Sequence, residues 1–338
     1  MELLRVASDE LQHWCVRKLT SVGVPEDHAK ITADVLVQAN LRGVDSHGVL
    51  RVEHYVKKIA AGGINPVPKI GVNRTGPVTA IVDGDDGLGH VVACRAMETA
   101  LDLAEEHGVG VVGAVNSSHC GALSYFVEMA TKRNMIGVVM SNTDKGAVPH
   151  GGREPFFGTN PMAFGFPSRR HPPIILDMAT TTVAFGKILD HKLKGKPIPP
   201  DWGVDREGES VTDPDKVYAM RHFGGAKGYG LALVVDVLSS VLFGGAFGPH
   251  VEKMYAEDLS RKRKLAQFFM ALNPAFFTET DAFLDTMDRM IDEIHAAPPA
   301  RGFDRVLVPG EPENLTKEQR LKEGIPLPED LVRYLRGH

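Results

Sequence analysis

The sequence predicts an α/β protein, and three observations carry that prediction. Apolar runs of strand length occupy 109–115 and 136–140, and the segments around them repeat apolar residues at helical spacing. Both runs exit into polar clusters, Asn116-Ser117-Ser118-His119 and Ser141-Asn142-Thr143-Asp144-Lys145, and the carboxyl ends of strands are where α/β sheets bind ligands. At 338 residues the chain is long for one core, so two lobes, or a core with an insertion, are expected.

Composition narrows the class. Hydrophobic residues make up 43% of the chain and charged residues 24%, as in ordinary globular proteins. A net charge of -5 and a pI near 6.3 leave no basic footprint for nucleic acid. Cys15, Cys94 and Cys120 are too few and too scattered for a disulfide framework, so a reducing compartment, the cytoplasm, is expected. Residues 1–10 carry charges where a signal peptide has an apolar core, and no export signal is expected. The stretch 229–247 is long and apolar enough to weigh as a membrane span, but Asp236 lies in its middle. It reads as a helix buried in a large core or packed in a subunit interface, with no membrane partner.

In chain order, a short helix is expected at 11–19. Pro25, with Glu26 and Asp27 behind it, starts a second helix that ends at Gly43. Asp45-Ser46-His47-Gly48 is a polar knot before a third helix at 49–61. Arg51 and Tyr55 are four residues apart, so they share a face of that helix with His47 at its entrance. Extended segments at 69–73 and 78–83 precede an amphipathic helix at 91–107. Gly87 and Gly89 partly match the glycine-rich dinucleotide fingerprint, but the next strand ends in Asn116 to His119 rather than in an acid, which weighs against a Rossmann fold.

After His119 a helix runs to about residue 134. The loops at 148–152 and 157–161 are dense in Gly and Pro, as suits either an anion cradle or plain turns. Strands are expected at 162–166 and 174–177, the latter ending on Asp177, then a helix at 182–193 and a polar surface excursion at 196–215. Lys227 lies between glycines at the start of the apolar helix, placed equally well to reach a diphosphate or to stay solvated. A strand at 265–271, an amphipathic helix at 280–296 and a last strand at 305–308 follow. Thr316-Lys317-Glu318-Gln319 matches a capping box, and a short helix at 331–335 closes the chain.

The chemistry follows by elimination. Despite 14 histidines, no HExxH, CxxC or helical His pair beside a carboxylate is present, and no metal is expected. A G-x-S-x-G elbow is also absent. His119 stands at a strand-to-helix junction, where a helix dipole favours the neutral imidazole and so a general base; a helix cap with a boundary histidine accounts for the junction as simply. Cys120 reads either as a thiolate or as a small packing residue. What remains is an acid/base site with an anion clamp: His47 and His119 for protons, Arg51 for a carboxylate. That set fits hydride transfer between a nicotinamide and a 2-hydroxy acid. A metal-independent lyase or hydrolase using His119 or Cys120, and a non-catalytic binding protein, are the alternatives.

The motifs also resemble a known family. Asp45-Ser46-His47-Gly48 with Arg51 and Tyr55, Gly62-Gly63-Ile64-Asn65-Pro66, Ser118-His119-Cys120-Gly121-Ala122, Gly158-Thr159-Asn160-Pro161, Asp177-Met178-Ala179-Thr180 and Lys227-Gly228-Tyr229-Gly230 are similar to those of the type-2 malate/L-lactate dehydrogenases. The string from His119 to Phe126 is nearest the ureidoglycolate dehydrogenase branch. The resemblance implies a non-Rossmann α/β fold, a mixed sheet with flanking helices. It implies a helical substrate-side lobe from 1–75 and 275–338, and an NAD(P)-binding domain at 76–274 with a surface excursion near 190–222. It further implies a homodimer using NAD, or alternatively NADP, on ureidoglycolate or malate/lactate. By the same resemblance His119 is the acid/base residue, with His47 in that role in other branches. Arg51, Ser46 and Tyr55 face the substrate, and Thr143, Asp177, Met178, Ala179, Lys227, Gly310, Glu311 and Pro312 contact the cofactor; Asp144, in the polar exit of the second strand, is a further substrate-binding candidate.

Overall fold

In the computed structural model, which describes residues 3–337, the chain runs β1 (Leu3–Val6), α1 (Ser8–Thr20), α2 (Glu26–Leu41), α3 (Val52–Ala60), β2 (Gly71–Arg74), β3 (Thr79–Asp83), α4 (Gly89–His107) and β4 (Val109–Ser117). It continues through α5 (Ser124–Thr131), β5 (Ile136–Ser141), β6 (Met162–Phe166), β7 (Ile174–Met178), α6 (Phe185–Leu193), β8 (Gly203–Val204), β9 (Ala219–Met220) and α7 (Ala226–Ser239). It ends with β10 (Leu265–Leu272), α8 (Thr280–His295), α9 (Glu311–Glu323), β11 (Ile325–Pro328) and α10 (Glu329–Arg336).

Seven strands form one mixed sheet in the order β2-β3-β4-β10-β5-β6-β7. Only β3 and β4 pair in parallel, joined through α4; the other five pairings are antiparallel. A Rossmann sheet is parallel throughout its nucleotide half, so this topology is a different one. Apolar residues on both faces of the middle strands explain why both faces are covered. Val112, Ala114, Val139 and Phe269 pack under α4 and α5. On the opposite face Val138, Met140 and Phe268 meet Val235 of α7.

A second core joins α1, α2 and α3 to β1, β11 and α10 through Leu11, Leu19, Leu36, Val52, Ile325 and Leu335. The antiparallel β1–β11 pair, from opposite ends of the chain, has no sequence signal. Within 275–338, α8 packs elsewhere: Met287 and Ile291 rest on Ile174 of β7 and on Val308. From 1–75, β2 joins the seven-stranded sheet.

Four local expectations are corrected. Residues 305–308 form no strand; Ile175 N–H donates to Pro309 O at 3.1 Å, a lone bond with no ladder behind it. The capping-box reading at Thr316 also fails. Pro312 in the first turn, with Glu311 and Glu313, starts α9 earlier, and Thr316 Oγ1 donates back to Pro312 O at 2.9 Å within the helix. The segment 196–215 is more than a surface excursion, since β8 pairs with β9 and Val204 packs on Val148 and Ala219. Finally, α7 is not buried all round: Ala232, Val235, Asp236 and Ser239 are buried, whereas Leu231, Leu233, Val234 and Val237 are exposed.

Candidate active site

Strand direction assembles the site. Because β10 runs antiparallel to both β4 and β5, its first residues lie at the sheet edge where those two strands end, and β7 ends at the same edge. His119 after β4, Thr143 after β5, Asp177 near the end of β7 and Arg263 before β10 therefore line one cavity of about 790 Å³. That volume suits a cofactor or drug-sized ligand.

Two glycines fix this edge. A Cβ at Gly158 would collide with Thr143 Oγ1, the atom that accepts a 2.9 Å hydrogen bond from Thr159 N–H. A Cβ at Gly89 would strike the backbone of Ser118 and His119. Ser118 Oγ accepts from Gly89 N–H at 2.8 Å, so it caps α4, the helix before its own strand, and not α5 as the junction suggests. Gly87 and Gly89 thus serve packing, and neither lines the cavity.

His119 and Tyr55 share a 2.7 Å hydrogen bond between His119 Nδ1 and Tyr55 Oη, which leaves Nε2 without a hydrogen-bond partner among the described residues. The His47 ring lies stacked at 5.7 Å from that of His119, and His47 Nδ1 shares a 2.9 Å hydrogen bond with Ser46 Oγ. Burial, and then the Arg51 guanidinium, push His47 down to about 4. Burial, then the charges of His47 and Arg51, hold His119 well below the ordinary histidine value. Both imidazoles are therefore neutral at neutral pH, and the main cause is burial rather than the helix dipole. Tyr55 is pushed upward, first by burial, and keeps its proton.

The expected anion clamp is rearranged. Arg51 Nε donates to Ser46 O at 2.7 Å, its guanidinium lies 5.6 Å from the Tyr255 ring centroid, and it does not line the cavity. Arg263 does, and it is buried. Its Nη2 donates to Asp144 Oδ1 at 2.7 Å and its Nε to Glu252 O at 3.1 Å, so the Asp144 carboxylate is engaged by Arg263 and lies outside the cavity lining. Lys58, also buried, donates to Arg261 O at 2.8 Å and ties the loop before β10 to α3. Sequence reasoning missed Arg263; the one available signal was the basic run Arg261-Lys262-Arg263-Lys264 ahead of a strand.

Of the remaining expected residues, Ser46, Met178, Ala179, Gly310 and Pro312 line the cavity with Thr143 and Asp177. Asp177 Oδ2 accepts from Ser124 N–H at 2.7 Å, and burial raises its carboxyl above the usual range. Glu311 turns back to accept from Val308 N–H at 2.9 Å and does not line the cavity. Lys227 is exposed and also lies outside the lining. Cys120 is buried, and its thiol is pushed up to about 12, first by burial and then by Asp177. A thiol so far above neutral pH is no nucleophile, so a lyase or hydrolase built on Cys120 is not supported.

An imidazole kept neutral beside a buried guanidinium suits removal of a proton from a hydroxyl whose carbon also bears a carboxylate. On a mixed sheet with no Rossmann phosphate loop, that chemistry defines the class as a non-Rossmann hydroxy acid dehydrogenase. The chain belongs to the malate/L-lactate dehydrogenase family, whose model matches residues 6–336. It is 40% identical over 332 residues to ureidoglycolate dehydrogenase (NAD(+)) of Escherichia coli K12, covering 98% of this chain and 95% of that one. It is 42% identical over 335 residues to malate dehydrogenase of Pyrococcus horikoshii, covering 96% and 91%. The sulfolactate dehydrogenase structure from Methanocaldococcus jannaschii superposes with a TM-score of 0.93 at 38% identity, covering 99% of this chain and 96% of that one.

Proposed function

We propose that this dehydrogenase oxidises ureidoglycolate, or else malate or lactate, with NAD as cofactor and NADP as the alternative. The observation that carries the reading is that His119, its Nδ1 held by Tyr55 behind it, lines the same cavity as Arg263. His119 Nε2 takes the hydroxyl proton as the carbonyl forms, while Tyr55 fixes the ring through Nδ1. Arg263 holds the substrate carboxylate, and Asp144 keeps the guanidinium in place. The nicotinamide supplies the redox step as hydride acceptor. Thr143, the Asp177-Met178-Ala179 run, Gly310 and Pro312 would contact the cofactor, a reading supported by their lining the same cavity. Arg51 acts one layer behind the substrate, through Ser46 and His47.

The exposed apolar face of α7 supports a homodimer, because a soluble surface rarely carries Leu231, Leu233, Val234 and Val237 side by side unpartnered. Asp236 on the opposite face accepts from Asn142 Nδ2 at 2.7 Å, which suits a helix seated on a sheet better than one in lipid. The three free cysteines support a cytoplasmic site of action. The deciding experiment is a panel of 2-hydroxy acids, ureidoglycolate, malate, lactate and sulfolactate, assayed with NAD and with NADP at the nicotinamide absorbance. Turnover of ureidoglycolate with NAD is the expected result; no absorbance change with any member overturns the reading.

A further inference from the structure

The cavity must accept two anionic groups if the dehydrogenase reading holds, the substrate carboxylate and the cofactor diphosphate. Among the described residues, two permanently charged cations line it, Arg263 and Arg42. Arg263 stands at the strand edge with the two imidazoles. Arg42 follows the last residue of α2 and lies between α5 and α9. Its Nη2 pairs with Glu128 on α5 at 3.0 Å, and its neighbour Gly43 packs on Thr316 of α9. Lys227, which the resemblance assigns to the cofactor, is exposed and outside the lining.

Arg42 is built as a binding residue rather than as a surface charge. It is 6% exposed, and its Nε has no hydrogen-bond partner among the described residues. Glu128 neutralises the charge through Nη2 alone, and an anion with several acceptor oxygens would satisfy more of the guanidinium fork. The lining also carries two carboxylates, Asp177 and Glu313. Without Arg42 the cavity would hold excess negative charge and repel a diphosphate.

We propose that Arg42 holds the diphosphate of the nicotinamide cofactor. The guanidinium fork matches phosphate oxygens, and Glu128 acts as the counter-ion that keeps the buried cation folded in place when the cavity is empty. This rests on the dehydrogenase reading, and the test separates the two. Dissociation constants for NADH, for ADP-ribose and for adenosine, which lacks the diphosphate, are measured by fluorescence and calorimetry. The proteins are the wild type, Glu128→Gln and the charge-balanced pair Arg42→Met with Glu128→Gln.

The paired variant is expected to bind NADH and ADP-ribose about 10- to 100-fold more weakly, with adenosine unchanged. Glu128→Gln alone, which leaves the guanidinium wholly to the ligand, is expected to bind NADH more tightly. A folded paired variant that binds NADH and ADP-ribose as the wild type does, or Glu128→Gln binding NADH no more tightly, overturns this inference alone. A wild type that binds no NADH overturns the dehydrogenase reading with it.

Discussion

Tyr55 Oη and His119 Nδ1 lie 2.7 Å apart, although 64 residues separate them in the chain. The bond fixes the His119 ring, as the Ser46 hydroxyl fixes that of the stacked His47 through its own Nδ1, so substitution has to distinguish the two imidazoles. Replacing His119 by Ala is expected to lower kcat by about 10²- to 10⁴-fold, the usual contribution of a general base, with the NADH dissociation constant little changed. Tyr55→Phe keeps the ring packing and loses one hydrogen bond, so about a tenfold loss in kcat is expected. Steady-state kinetics beside NADH titration tests both; full activity in His119→Ala sinks the assignment.

The low proton affinity of His119 in the free protein has a kinetic signature. Burial and nearby cations hold it down, Arg51 and Arg263 among them. A bound carboxylate offsets those cations, so the imidazole becomes more basic in the complex. Oxidation needs the neutral imidazole and therefore rises with pH through its pKa. The acid limb of the kcat profile, which reports the complex, is expected at higher pH than that of kcat/KM, which reports the free enzyme. Coincident limbs contradict this account.

Arg263→Met removes the cation beside the imidazoles and leaves Asp144 without its partner. A loss of ~2–5 kcal/mol in carboxylate binding is expected for truncating a buried, hydrogen-bonded charge pair, read as a rise in KM for the hydroxy acid. Pairing it with Asp144→Asn removes the stranded carboxylate and is expected to restore stability without restoring KM. Thermal melting separates the two effects, and recovery of KM in the double variant assigns the carboxylate to another residue.

How much of this was legible in the sequence depends on how far apart the partners lie. The strand runs 109–115 and 136–140 and their polar exits are local patterns that led to the cavity residues His119 and Thr143, and the four-residue step from Arg51 to Tyr55 led to the hydrogen-bond partner of His119 but left Arg51 outside the lining. The wedging of β10 between β4 and β5 is not local, since it pairs residues more than a hundred positions apart. Arg263 was illegible for that reason: its importance comes from Asp144, 119 residues away. The β1–β11 pair was lost in the same way. Asp236 is intermediate; an acid in an apolar helix signals a partner, but only the fold identifies Asn142.

The exposed face of α7 predicts a concentration-dependent assembly. Leu233→Lys with Val234→Lys places two charges on residues that are 41% and 43% exposed in one chain, so the isolated protomer tolerates them. Burial of either charge in a dimer interface is costly. Sedimentation velocity is expected to show a dimer for the wild type and a monomer for the variant. A wild type that sediments as a monomer at micromolar concentration refutes the pairing.

His90 sits behind the site, fully buried, with neither ring nitrogen hydrogen-bonded among the described residues and its ring edge against Tyr55. Burial lowers its pKa from 6.5 to about 3. The folded protein therefore keeps His90 neutral over a range in which the unfolded chain protonates it. The unfolded state binds more protons there, so stability rises with pH across that window and is lost as pH falls from about 6.5 toward about 3. While the unfolded chain is one proton ahead, the loss is about 1.4 kcal/mol per pH unit. Phe has similar volume and nothing to titrate. His90→Phe is expected to stay within about 1.5 kcal/mol of the wild type at pH 7 and to fall less steeply toward pH 5. His47 and His54, both lowered to about 4 chiefly by burial, leave a residual slope in the variant. Urea unfolding at pH 7, 6 and 5 measures the difference, and parallel pH dependence in the two proteins shows that His90 is not the group whose protonation weakens the fold.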